Sequence, residues 1–141
     1  MNGRRLVFPK NERLSRKRHQ DLLFQEGSTF LVYPLRVIYL LIDHTETILN
    51  PPTSDPSIIV LFSISKKNMK HAVDRNYIKR RMRESYRLRK YDLIHSLSTQ
   101  NKQLLLALLY INKEKSSFEK IDRAMNKVIQ TLKEITELRN N

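Results

Sequence analysis

The chain has 141 residues, enough for one domain with one core, and its 27 Lys and Arg against 14 Asp and Glu leave a net charge of +13. Such an imbalance points to a polyanionic partner, nucleic acid first and an anionic membrane surface second. The absence of cysteine removes disulfides and thiolate metal sites, and no stretch approaches the ~18 apolar residues of a membrane span.

Residues 1–13 carry Pro and charge and read as an irregular segment; no apolar run follows their basic residues, so they do not form a secretory signal. The chain therefore reads as a soluble, cytoplasmic protein with no membrane partner. SRKRHQDLLFQE (15–26) reads as a short helix, with Ser15 as N-cap and Gly27 just past its end. TFLVYPLRVIYLLI (29–42) is β-branched and aromatic, hence strand, and Pro34 marks an edge, a bulge or a break between two short strands. DHTETILNPPTSDPS (43–57) is a long loop, read as a hairpin connection. IIVLFSIS (58–65) is a strand of the buried type. A basic helix follows over 74–90, residues 91–101 are a helical turn or loop, and QLLLALLYI (103–111) reads as a strand. Phe118, Ile121, Met125, Val128, Ile129, Leu132 and Ile135 place one apolar face on a final helix. The fold class is α+β, a single domain over 1–141 in α-β-β-β-α-β-α order with an about four-stranded sheet. A helix between two strands implies a crossover, so the sheet is mixed.

The basic helix is the most informative segment. Between Arg75 and Lys90 stand eight cations, six Arg and two Lys, and one acid, Glu84. Like charges one turn apart repel, so such a run does not serve the helix itself. At about 100° per residue, Asn76, Lys79, Arg80, Arg83 and Arg87 fall within one arc, whereas Tyr77, Ile78, Met82 and Leu88 fall on the other side, and Arg81 points away from the arc. A basic stripe in solvent opposite an apolar docking face is expected, with the +13 charge leaving the stripe no internal acids to pair with. The guanidinium fork matches phosphate oxygens two at a time. Asn76 adds an amide suited to a 2′-hydroxyl or base edge, or else is a helix-start residue. Arg13, Arg16, Lys17 and Arg18 form a second cluster, either a further RNA contact or ordinary surface.

RNYIKRRMRESYR resembles the R-N-x-x-K-R-x-x-R-E motif of bacterial ribonuclease P protein components, with Arg75, Asn76, Lys79, Arg80, Arg83 and Glu84 in the pattern and Tyr77 where the family usually has Arg. SISKKNMKHAVDRN and the opening FPKNERL through LLFQEG are similar to the family's other segments, so the resemblance covers nearly the whole chain. It implies a ribosomal protein S5 domain 2-like fold with a left-handed βαβ crossover, against a right-handed norm of ~98%. It also implies an endoribonuclease in which a large catalytic RNA, with Mg²⁺ bound by the RNA, removes the 5′ leader of precursor tRNA. The protein would be inactive alone and would require no protein partner. Residues 75–87 would contact the catalytic RNA, Arg75 and Arg87 included, with Ser65, Lys66 and Lys67 in the same basic neighbourhood. The leader would lie in a cleft between the first helix and the sheet, lined by Phe24 and Tyr39. Gln20, where the family often has a second aromatic, and Arg16 belong to the same cleft.

The residues themselves give no protein active site. The 14 acids are scattered, and His19, His44, His71 and His95 show no metal-ligand spacing. Two glycines cannot make a phosphate-binding loop. The competing reading is a structural, ribosomal-type rRNA-binding protein with no link to catalysis. A DNA-binding factor would want a second short helix beside residues 74–90.

Overall fold

Pro34 divides the first β-rich run, because a residue without an N–H cannot continue a ladder. In the computed structural model, which describes residues 12–43, 57–100 and 102–138, β1 (Ser28–Val32) and β2 (Leu35–Asp43) pair antiparallel around a Tyr33–Pro34 turn whose peptide bond is cis. Of the three roles open to Pro34, the break between two strands is the one observed. Helix α1 (Lys17–Glu26) precedes them, and β3 (Ile58–Ile64), α2 (Ala72–Thr99), β4 (Lys102–Tyr110) and α3 (Phe118–Leu138) follow. The irregular segment expected over 1–13 lies outside the described residues except for Glu12 and Arg13, and Arg13 bridges to Val60 beside β3.

The sheet order is β1-β2-β4-β3, with β4 antiparallel to β2 and parallel to β3. The connection after β2 is therefore no hairpin, which corrects the reading of 43–57; the loop itself, apart from its ends, lies outside the described residues. The reason lies in β4. Its apolar run from Leu104 to Leu108 is buried on both faces, which suits the middle of a covered sheet, and it separates β2 from β3.

The two faces of the sheet sort the strand residues by parity. Leu35, Val37, Tyr39 and Leu41 of β2 pack with α2 and α3 in the larger core. Ile38 and Leu40 face the other way, toward Leu23 of α1, together with Ile59, Leu105 and Ala107. Gly27 lets α1 approach the sheet: a Cβ there would stand 2.4 Å from the Leu23 carbonyl oxygen and 2.9 Å from Ile38 Cγ2. Its place after the helix is as expected, and its backbone is extended. The N-cap is Arg16, with no side-chain cap bond, rather than Ser15.

Helix α2 has 28 residues and runs to Thr99, so 91–101 is mostly helix. Ile78, Met82, Tyr86, Leu93 and Leu97 recur at helical spacing and bury that face. Leu88, expected on the apolar side, is 48% exposed; it lies between the buried arc and the solvent face and touches no core layer. Helix α3 buries Ile121, Met125, Val128, Ile129 and Leu132 against α2 and the sheet.

Candidate nucleic-acid interface

The cations of α2 divide into two sets that the sequence presents as one run. Asn76, Lys79, Arg80 and Arg83 share the solvent side, and their side chains make no hydrogen bond or ion pair with the described residues. Five others are engaged. Arg87 pairs with Glu84 one turn earlier. Arg89 donates to Asp122 of α3 through Nε (3.0 Å) and Nη2 (2.6 Å) and to Asn126 through Nη1 (3.0 Å). Lys90, 1% exposed, reaches Glu12 at 2.9 Å. Arg81 lays its guanidinium 3.4 Å from the Tyr77 ring centroid, and Arg75 donates to the Met69 and Lys70 carbonyls at 2.8 and 2.7 Å. The expectation that the stripe has no internal acid to pair with is corrected at Arg87, which Glu84 takes; outside the stripe, Asp122 and Glu12 take Arg89 and Lys90.

These internal pairs leave chemical signatures. The Arg89 hydrogen bond, helped by Ser85 Oγ, holds the Asp122 carboxyl below its usual range. Burial pushes the Tyr86 phenol well up, and the Glu12 carboxylate adds to the effect. The partners of Arg89 and Lys90 lie 33 and 78 residues away in the chain, so no local pattern announces them. Asn76 sits inside the first turns of α2, past its start at Ala72, and is exposed; the helix-start role falls away.

Arg75 positions a second part of the surface. Its two bonds tie the 65–70 turn to the start of α2, and that turn is closed by the Met69 N–H to the Ser65 carbonyl (3.1 Å) and the Lys67 N–H to Ser65 Oγ (3.1 Å). Lys66 and Lys67 are exposed on it. Ser65 and Arg75 therefore act as scaffold, and the lysines join Lys79, Arg80 and Arg83 as charge available to a polyanion. On the far side of α2, Lys115 stands 5.1 Å from the Tyr77 ring and 3.3 Å from Asp74, so Tyr77 stacks cations away from the stripe.

The expected cleft residues do not all converge. Phe24 is 51% exposed on α1, with Gln20 one turn and the N-cap residue Arg16 two turns before it on the same side. The Gln20 amide donates to the Leu14 carbonyl (2.8 Å), fixing the segment that enters α1. Tyr39 lies on the opposite face of the sheet, with its ring 5.7 Å from Phe30 beneath the α2/α3 layer. Its assignment to the α1 cleft is corrected, because a one-residue slip along a strand reverses the face; Ile38 and Leu40 occupy the α1 side instead. Among the described residues, no three of His, Asp and Glu are grouped to hold a metal ion.

A family model described as Ribonuclease P matches residues 8–133. A ribonuclease P protein component of Porphyromonas gingivalis is 35% identical over 118 residues, covering 84% of this chain and 80% of the relative. One from Chlorobium phaeobacteroides is 35% identical over 103 residues, covering 67% and 70%. The solved structure of the Staphylococcus aureus RNase P protein superposes with a TM-score of 0.57 at 18% identity, over 85% of this chain and 94% of that one, and so shares the fold.

Proposed function

The chain belongs to the ribonuclease P protein family, and on that premise we propose a division of labour between the two sides of its sheet. As a subunit of the endoribonuclease ribonucleoprotein, it has an RNA partner. The α2 side anchors the catalytic RNA: Lys79, Arg80 and Arg83 neutralise phosphates, Asn76 offers its amide to a sugar or base edge, and Lys66 and Lys67 extend the same surface. The α1 side receives the 5′ leader of precursor tRNA, with Phe24 stacking a base and Arg16 close to its backbone. Cleavage to the mature 5′ end is carried by the RNA and by Mg²⁺ that the RNA binds. The polypeptide lowers the Mg²⁺ requirement by supplying cationic charge where RNA strands converge.

The observation that carries this reading is the set of Lys79, Arg80 and, one turn on, Arg83, whose side chains lie on the solvent side of α2 without partners among the described residues. Reconstitution tests it. Added to the cognate catalytic RNA at low Mg²⁺, the protein should accelerate leader removal from precursor tRNA and do nothing alone. Cleavage by the protein after rigorous removal of RNA, or failure to stimulate the catalytic RNA, would overturn it. A structural rRNA-binding role predicts the second of these failures.

A further inference from the structure

Helix α3 was read for its apolar face, yet its outer face carries Lys120, Arg123 and Lys127 at i, i+3 and i+7, a row spanning about 10 Å along the axis. The row borders a groove of ≈ 470 Å³ whose other wall is the edge strand β1 and its turn, through Leu31, Val32 and Tyr33. Tyr33 is 57% exposed and Leu31 56%. Among the described residues, no carboxylate pairs with any of the three cations.

We infer that this β1/α3 groove is a second RNA-binding surface, one that takes an unpaired nucleotide stretch with a base on Tyr33 and phosphates on Lys120, Arg123 and Lys127. The inference rests on the reading that RNA is the working partner. Three arguments carry it. Unpaired cations in a row set the sign of the ligand, and a second copy of a chain with net charge +13 would be repelled. An exposed ring beside the row offers a stacking platform that tolerates any base. The groove is also separate from the α2 stripe and from the α1 side: α3 packs on the face of the sheet opposite α1, and the row stands at the β1 edge, whereas α2 runs beside β3. An RNA held here as well as on α2 would meet the protein at two edges of the sheet. The occupant is single-stranded RNA, from either the catalytic RNA or the leader.

The test uses the full chain. Titration with a short unstructured oligoribonucleotide, followed by amide NMR, should give saturable shifts at 31–33 and 120–127. Tyr33→Ala should weaken that site about 5- to 150-fold, and Tyr33→Phe should retain it. The triple variant Lys120→Gln, Arg123→Gln, Lys127→Gln should flatten the slope of log affinity against log salt by about 2, at ~0.7 per single-strand phosphate contact. Two further arms identify the source. Loss of affinity for the catalytic RNA alone assigns the occupant to that RNA; loss seen only for long-leader precursor, and not for leaderless tRNA, assigns it to the leader. Shifts confined to α1 and α2 would refute the groove. So would a triple variant that loses oligonucleotide and polyglutamate equally while Tyr33→Ala changes nothing, since the row would then be diffuse charge. Wild-type protein that stimulates the catalytic RNA while the groove stays silent would sink this inference alone; oligonucleotide shifts without stimulation would sink the subunit reading alone.

Discussion

Arg83 and Arg89 lie six residues apart in one basic run, and they should fail in opposite ways. Arg89→Gln removes two hydrogen bonds to Asp122 and one to Asn126 that join α2 to α3. A charged hydrogen bond contributes about 1.5–3 kcal/mol when its loss strands a buried partner. Here the side chains of Arg89 and Asp122 are 31% and 26% exposed, so water screens part of the loss. The expected cost is about 1–2 kcal/mol, a fall in melting temperature of roughly 3–7 °C for a chain of this size. The effect should depend on pH. Asp122 is held below its usual range by Arg89, so its contribution is present above the ordinary aspartate pKa and fades as pH falls through the depressed folded value. The stability gap between wild type and Arg89→Gln should therefore close on acidification. Arg83→Gln should leave melting unchanged and instead flatten the salt dependence of catalytic-RNA binding by about 0.7–0.9. Thermal melts at several pH values and filter binding across a salt series measure both. If Arg89→Gln flattened the salt slope as much as Arg83→Gln does, the division of the run into scaffold and contact would be wrong.

Other substitutions separate scaffold from surface in the same way. Gly27→Ala should lower stability by about 1–3 kcal/mol in chemical denaturation, because the new Cβ meets backbone that cannot yield; an unchanged midpoint would mean that α1 shifts freely. Glu12→Ala removes the carboxylate that pairs with the buried Lys90 and should cost about 3 kcal/mol, and adding Lys90→Met should recover much of it, a double-mutant cycle that an exposed pair would not show. Phe24→Ala should weaken precursor tRNA binding in the holoenzyme by about 1–2 kcal/mol and spare mature tRNA, without altering the melt; equal loss for both ligands would place Phe24 against the tRNA body. Tyr39→Ala should do the reverse, lowering the melt while leaving leader affinity intact.

The order of elements was legible because each carries its own local signal. Pro34 interrupts a β-rich run, β4 is apolar on both faces, and α3 repeats its apolar residues at helical spacing. The second half of α2 was not, since Leu93 and Leu97 are too sparse among polar neighbours to extend the pattern past Lys90. The stripe residues could be placed from angular spacing alone. Which other cations of the run are engaged could not, because Glu12 and Asp122 reach Lys90 and Arg89 only through the tertiary fold. Tyr39 shows a different limit: aligning a strand by similarity carries an uncertainty of one residue, and one residue decides the face. Lys120, Arg123 and Lys127 were visible as a periodic row, but the groove they border exists only once β1 lies beside α3.

The position of β4 sets the order in which a nascent chain can mature. It is the sixth of the seven described elements to leave the ribosome, yet it is an interior strand and, among the described residues, the one strand paired with β3. Until Lys102–Tyr110 emerges, β3 trails as an unpaired apolar strand and the β1–β2 hairpin has nothing to pair with on its β2 side. Insertion of β4 then closes both halves in one late step between distant segments, which is slow by topology. Translation that stops before residue 102 yields no smaller stable sheet, only an aggregation-prone fragment with a free edge on each part. The cationic stripe of α2 is synthesised before that step, so its charge is exposed while the protein is still unfinished.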